Sequence, residues 1–198
     1  MDEQIEQILD FWFGEPPEGE ERPSGHELWW QKSARVDRLI EKRFGKLVEK
    51  ARSGALDGWT SSAKGRLAVI LLLDQFGRNI YREQPEAYLG DPKALELCYD
   101  GLDEAMDRAL TTPQRCFFYM PMMHAEDVDA QLACVETFQE LVAETSGEDK
   151  EMAESFLRHA EQHRDVVERF ERFPTRNAIL GRQSSSEESA YLQQSGAL

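Results

Sequence analysis

The sequence predicts an all-α protein that forms a single domain over residues 1–198, and three observations lead to this fold class. Apolar residues recur every three or four positions through most of the chain, which is the period of an amphipathic helix. No segment of useful length shows the alternation of a half-buried strand. Helix-start signals also recur along the chain. About seven helices in antiparallel pairs are expected, as a bundle or as a solenoid of helix pairs.

The first part of the chain is predicted to hold three helices. One helix covers 2–13, and a loop rich in Pro, Gly and Glu follows over 14–25. The second helix runs from about 33 to 51. Ser62 is a suitable N-cap for a third helix, which contains the apolar run 67–73 and is expected to be central and buried. A buried strand is the alternative for so short a run, and the flanking polar residues favour the helix.

Two proline pairs mark helix starts in the middle of the chain. Asp91 and Thr112 each precede a proline, so each pair predicts an N-cap followed by proline at the first helical position. Gly101 is expected to break the helix that begins at Asp91. Pro121 is expected to end or kink the helix that begins at Thr112.

Two long helices and a short one are predicted for the rest of the chain. The long helices cover about 127–145 and about 150–170, each with an apolar face. Ser185 and Glu188 have the spacing of a capping box, in which each side chain bonds to the backbone of the other residue. A short terminal helix is therefore expected to begin there.

The charge of the chain excludes some classes of partner. The sequence has 23 Lys and Arg against 38 Asp and Glu, a formal net charge of −15. This field repels phosphate backbones and anionic lipid, so neither nucleic acid nor a membrane is an expected partner. The N-terminus lacks the basic start and apolar run of a secretory signal. The run 67–73 is too short to span a bilayer, and the three cysteines show no CxxC spacing, so a cytoplasmic protein with reduced thiols is predicted.

The signatures of several enzyme classes are missing from the sequence. It contains no P-loop, no GxGxxG, no HExxH, no EF-hand loop and no GxSxG. No cofactor is therefore expected, and any catalytic chemistry has to come from side chains without a recognised motif.

The densest polar cluster begins at Arg115 and allows three interpretations. Arg115 and Tyr119 share a helix face, and His124 lies just before Glu126 and Asp127. In the first interpretation His124 is a general acid or base that Glu126 or Asp127 orients. In the second these residues bind a metal, but their spacing matches no known loop, so no metal is predicted. In the third they tie helices together, as buried polar groups usually do.

A local echo links two distant parts of the sequence. Arg78 and Asn79 follow an aromatic residue at a predicted helix end, and Arg176 and Asn177 do the same. Arginine side chains suit the binding of carboxylates and phosphates because the guanidinium presents a planar fork of donors.

The sequence resembles the DUF924 family of uncharacterised bacterial proteins. Five segments carry this resemblance: 8–14, 29–33, 73–82, 119–127 and 172–182. The resemblance implies an all-α fold similar to that of tetratricopeptide-repeat proteins, and it implies no established activity. One departure is that Met122 and Met123 stand where the family usually has Phe-Glu, which removes a carboxylate next to His124.

Three functions follow as hypotheses. The leading one is a binding module for a small anionic group or a peptide end. Its predicted ligand-binding residues are Arg78, Asn79, Arg115, Tyr119, His124 and Arg176, and it requires their side chains to converge in one cleft. The first alternative is a hydrolase-like enzyme that uses His124 with Glu126 or Asp127. The second alternative is a protein–protein scaffold with an exposed apolar groove. The sequence leaves the ligand and the oligomeric state open.

Overall fold

The computed structural model describes residues 2–14 and 25–194, and its regular structure in these ranges is helical throughout. No strand occurs there, so the predicted all-α fold is confirmed. The α-helices are, in chain order, α1 (Asp2–Phe13), α2 (Gly25–Trp30), α3 (Ala34–Arg52), α4 (Ala63–Ile70), α5 (Gly77–Ile80), α6 (Asp91–Asp103), α7 (Thr112–His124), α8 (Val128–Glu144), α9 (Gly147–Phe170) and α10 (Ser186–Gln194). Most of the predicted loop, residues 15–24, lies outside the described residues. No helix in the described ranges is long and apolar enough to cross a membrane.

The central buried segment of the protein consists of α4, a π-helical turn at Leu71–Phe76, and α5. The apolar run predicted to be central, 67–73, is fully buried. At the end of the turn the Gly77 N–H bonds to the Leu72 carbonyl, five residues back. A π turn widens the helix by one residue and changes the direction of the side chains in it, and such turns are frequent at functional sites. This one contains Asp74.

Aromatic rings join the N-terminal helices to the central segment. Phe11 of α1, Phe44 of α3 and Phe76 of the π turn form three pairs, with ring centroids 5.0, 6.0 and 5.0 Å apart. Each such pair is worth about 0.5–1.5 kcal/mol beyond its buried area. The Trp29 indole N–H donates to the Trp12 carbonyl oxygen at 3.0 Å. This bond ties α2, a helix that the sequence pattern does not predict, to α1.

Four predicted helix starts are confirmed by side-chain caps. Ser33, Ser62 and Asp127 each accept a hydrogen bond from the backbone N–H three residues further on, at 3.4, 3.2 and 2.8 Å. Ser185 and Glu188 form the predicted capping box: the Ser185 N–H donates to the Glu188 carboxylate at 2.6 Å, and the Glu188 N–H donates to the Ser185 hydroxyl at 3.1 Å. Each cap satisfies backbone donors that have no partner inside the helix.

The helices at the two proline pairs begin one residue earlier than predicted. Their N-caps are Gly90 and Thr111, so Asp91 and Thr112 are the first helical residues. Proline fits the second helical position as well as the first, because none of the early N–H groups has a partner inside the helix. The shift matters at Asp91, because its carboxylate is not used as a cap and is free to bind a cation.

Gly101 and Pro121 do not end their helices. α6 passes through Gly101, and α7 passes through Pro121 to His124. At the end of α7 the Gln131 amide donates to the carbonyls of Met122, Met123 and Ala125 at 3.3, 2.8 and 2.8 Å. These bonds satisfy carbonyl groups that would otherwise be buried without partners.

Gly101 allows α6 and α7 to approach each other closely. A Cβ at this position would lie 2.4 Å from Phe118 Cζ and 2.7 Å from Arg66 Cδ. Gly101→Ala is therefore expected to destabilise the protein by roughly 1–3 kcal/mol, although alanine is the better helix former by about 1 kcal/mol. The measurement is urea unfolding followed by circular dichroism. The control is Gly58→Ala, where a Cβ meets nothing within 4 Å. A Gly101→Ala variant as stable as the wild type would contradict the close packing.

Candidate functional site

Asp74 is the centre of a buried charged cluster. Its side chain is fully buried in the π turn. His124 Nδ1 lies 2.7 Å from Oδ1, Arg78 Nη1 lies 2.9 Å from the same oxygen, and Gln75 Nε2 donates to Oδ2 at 2.5 Å. Burial raises the pKa of the Asp74 carboxyl, but Arg78 and His124 outweigh this effect and hold the pKa well below its usual value. Asp74 is therefore a buried anion at neutral pH.

Arg78 and Arg176, the two arginines of the sequence echo, meet at Asp91. Arg78 forms a two-bond fork with Asp91, at 2.8 and 2.9 Å. Arg176 Nη1 lies 3.5 Å from the same carboxylate, and its Nη2 donates to the His124 carbonyl oxygen at 2.8 Å. The Tyr88 ring lies 4.7 Å from the Arg176 guanidinium. The cluster thus joins the π turn, α5, α6, the end of α7 and the turn at Pro174–Arg176.

His124 is neutral and has a defined tautomer. Burial and the Arg78 charge lower its pKa below the ordinary 6.5, and the Asp74 charge only partly opposes them. A carboxylate accepts and does not donate, so the proton on Nδ1 is donated to Asp74. Nε2 then carries a lone pair, which is the arrangement of a base oriented by an acid. The His124 side chain is 13% exposed.

A second histidine lies beside His124. The ring centroids of His163 and His124 are 6.3 Å apart. The Nδ1 of His163 bonds to the His159 carbonyl oxygen at 2.8 Å. Burial and the neighbouring His124 lower the pKa of His163 to about 4. Two neutral imidazoles therefore stand side by side at neutral pH.

Glu126 and Asp127, the predicted orienting carboxylates for His124, have other partners. Glu126 accepts two bonds from Arg182, at 2.6 and 2.8 Å, and one from the Phe173 N–H at 2.8 Å. Asp127 caps α8. The orienting carboxylate in the structure is Asp74, fifty residues away in the sequence, because the π turn brings it against the end of α7.

Arg115 and Tyr119 lie in a separate cluster. Arg115 Nε donates to the Tyr119 hydroxyl at 2.9 Å, and Nη1 donates to Glu144 at 2.9 Å. The Tyr119 hydroxyl donates to Asp107 at 2.6 Å. Burial and Asp107 raise the pKa of Tyr119 well above its usual value. The six predicted ligand-binding residues are thus divided: His124, Arg78 and Arg176 share one cluster, and these two belong to another.

Asn79 contributes to a surface pocket next to the Asp74 cluster. Its amide donates to Asp37 at 2.9 Å, and Arg82 forms a two-bond fork with the same carboxylate at 2.7 and 2.7 Å. The pocket lies between α2 and α5 and has a volume of about 210 Å³. It is lined by Leu28, Trp29, Trp30, Gln31, Lys32, Gln75, Arg78, Asn79 and Arg82. We call it the α2–α5 pocket.

The sequence analysis identified part of this pocket. Arg78 and Asn79 were predicted ligand-binding residues, whereas Lys32 and Arg82 were not. The missed residues lie in 29–33 and 73–82, two of the segments that carry the family resemblance, so that resemblance was the available signal. Within the described ranges, no three or more His, Cys, Asp or Glu side chains form a group that could hold a metal ion.

The fold and the site define an all-α protein with a buried ion-pair cluster behind a polar surface pocket. Residues 8–196 match the family model described as bacterial protein of unknown function (DUF924), and the chain belongs to this family. The comparison with curated proteins gives no match. A solved structure, that of the protein of unknown function ATU0120 from Agrobacterium tumefaciens, is similar: the identity is 36%, the match covers 98% of this chain and 99% of that chain, and the TM-score is 0.82.

Asp74 is expected to be the most sensitive polar position of the cluster. Asp74→Asn leaves Arg78 and His124 without a buried counter-charge and should cost about 3–5 kcal/mol of unfolding free energy at neutral pH. The pKa of Asp74 is lowered in the folded protein, so its charge stabilises the fold above the ordinary value of 3.8, and this contribution is lost as the pH falls below that value. The difference between variant and wild type should therefore be largest at neutral pH and narrow under acid conditions.

Urea unfolding at a series of pH values measures this difference. Asp129→Asn is the control, because Asp129 is an exposed aspartate on α8. A gap between Asp74→Asn and wild type that stays constant down to the lowest pH would contradict the lowered pKa.

Proposed function

We propose that this protein binds a small organic anion in the α2–α5 pocket. The observation that carries the proposal is the charge of the lining. Lys32, Arg78 and Arg82 line the pocket, and no carboxylate residue does, in a chain whose formal net charge is −15. A local concentration of cationic donors in an acidic protein attracts an anion and fixes where it binds.

The two arginines of the pocket are held rigidly from behind. Asp91 binds the Arg78 fork and Asp37 binds the Arg82 fork, and neither carboxylate lines the pocket. The arginine side chains remain 21% and 32% exposed. Arginines fixed in this way lose little conformational freedom when a ligand binds, so more of the interaction energy appears as affinity.

Lys32 supplies the charge that no protein group neutralises. It is exposed, and it forms no ion pair with the residues that the structure describes. A lysine ammonium has three donors on a flexible stem, so it can follow an anionic group within the pocket. We therefore assign Lys32 the direct ionic contact, while the arginines and the amides of Gln75 and Asn79 position the ligand.

The aromatic residues of the pocket indicate that the ligand has a flat apolar part. Trp30 is 45% exposed, and its ring is stacked on His159 with centroids 5.6 Å apart. Trp29 is fixed by its bond to α1. An aromatic carboxylate fits these surfaces, because its ring lies on an indole and its carboxylate reaches Lys32.

The family resemblance supports the same location. Segments 29–33 and 73–82 line the pocket, and segments 119–127 and 172–182 supply His124 and Arg176 to the cluster behind it. Segments that lie far apart in the sequence therefore converge on one region of the fold.

Isothermal titration calorimetry with phenylacetate, benzoate and inorganic phosphate tests the proposal. The aromatic carboxylates are expected to bind more tightly than phosphate, because only they contact the tryptophans. Lys32→Gln should weaken carboxylate binding by about fivefold, or roughly 1 kcal/mol, without changing stability, because Lys32 is exposed.

Lys42→Gln is the matched control. It removes the same charge from an exposed position on α3 that does not line the pocket, and it should bind the carboxylates as the wild type does. Equal weakening in both variants would reduce the effect to net charge and would count against the pocket. No binding of any probe to the wild type would overturn the proposal.

An acid–base enzyme is the second candidate function, and the Asp74–His124 pair favours it. The neutral His124 ring with a bonded Nδ1 and a lone pair on Nε2 has the composition of a general base. If this function holds, a compound bound in the pocket is converted, and its mass spectrum changes on incubation with the protein. His124→Gln should abolish the conversion and retain binding. Conversion that proceeds equally in His124→Gln would exclude this role.

The scaffold hypothesis has less support from the described surface. The exposed large apolar side chains there are Trp30, Leu89, Tyr99 and Leu132, and each belongs to a different segment of the fold. A partner-binding groove needs such side chains side by side.

A further inference from the structure

We infer that a second pocket, formed around Asp107, binds a small organic ammonium ion. The pocket lies between the end of α6, the turn at Met106–Ala109, α7 and α8, and its volume is about 250 Å³. It is lined by Leu102, Ala105, Asp107, Arg108, Arg115, Tyr119, Thr137 and Glu140. It shares no lining residue with the α2–α5 pocket.

The buried carboxylate of Asp107 carries this inference. Asp107 is only 5% exposed, yet it lines the pocket. Its Oδ2 accepts from the Tyr119 hydroxyl at 2.6 Å and lies 3.3 Å from Arg115 Nη2. Its Oδ1 has no hydrogen-bond donor among the described residues, and it is not one of their sealed, solvent-free polar atoms that lack a partner. A carboxylate oxygen with unused acceptor capacity, oriented toward a cavity, calls for a donor from a ligand.

The other charges of the pocket set the sign of that ligand. Glu144 neutralises the pocket's cations: it binds Arg115 at 2.9 Å and Arg108 at 3.3 Å. Glu140 lines the pocket and forms no ion pair within the described part of the chain. With three carboxylates against two arginines, the net charge around the pocket is −1, and the groups without a partner are acceptors. A cationic donor therefore complements this site, whereas an anion would meet Asp107 and Glu140.

The apolar part of the lining selects an organic ion over a hydrated metal ion. Leu102 and Ala105 provide aliphatic surface next to the two carboxylates. Ala105 has a φ of 51°, the left-handed region that residues other than glycine and asparagine seldom adopt. Such backbone strain occurs where the surrounding structure holds a segment in place, and it is frequent at ligand sites. An ammonium group on a short alkyl chain matches both the acceptors and the aliphatic wall.

The test is isothermal titration calorimetry with 1,4-diaminobutane and butylammonium, at moderate salt so that the general acidity of the chain is screened. 1,4-Butanediol is the neutral probe of similar shape. Both ammonium ions are expected to bind, and the diol is expected not to bind. Glu140→Gln and Asp107→Asn should each weaken ammonium binding by about tenfold, the effect of losing one charged hydrogen bond.

Two controls separate a built site from nonspecific attraction. Glu136→Gln removes an exposed carboxylate one turn away on α8 that does not line the pocket, and its binding should equal that of the wild type. Lys32→Gln should also leave ammonium binding unchanged, so the outcome here is independent of the α2–α5 pocket. Circular dichroism shows whether Asp107→Asn is folded; if it is not, the exposed Glu140→Gln decides. Wild-type protein without ammonium binding, or equal losses in Glu136→Gln and Glu140→Gln, would overturn the inference.

Discussion

The arrangement of the site depends on compensating one buried carboxylate. Asp74 lies in the helix that the rest of the fold surrounds, where an isolated charge would cost many kcal/mol. Arg78, His124 and Gln75 supply the compensation, and Arg78 in turn binds Asp91. Asp91 also pairs with an arginine from the turn after α9, so a single buried charge links elements from the centre of the sequence to its end.

The two pockets show how an acidic protein presents surfaces of different sign. In the α2–α5 pocket the carboxylates lie behind the arginines, so the cations line the cavity. Around Asp107 the order is reversed: Glu144 holds the arginines, and two acceptor groups have no protein donor. The net charge of the chain therefore does not determine what each site attracts, because the local order of paired side chains does.

Local signals were sufficient to predict most of the helices and part of the site. The caps at Ser33, Ser62 and Asp127 depend on neighbouring residues, and the sequence contains them. The proline pairs were displaced by one residue because proline fits two positions at a helix start equally well. The pairing of His124 with Asp74, and the separation of Arg115 from Arg78, depend on tertiary packing and on the π turn, and no local pattern encodes either. The neighbours of His124 in the sequence are thus not its neighbours in space.

The π turn makes the α2–α5 pocket sensitive to the length of the chain. Each residue advances an α-helix by about 100°, so deleting one residue from Leu71–Phe76 would rotate α5 by that angle relative to α4. The apolar run of α4 would stay in the core, while Arg78 and Asn79 would turn away from α2. A relative that lacks this extra residue would share the fold but not the pocket, and alignment gaps at this position therefore divide family members by ligand.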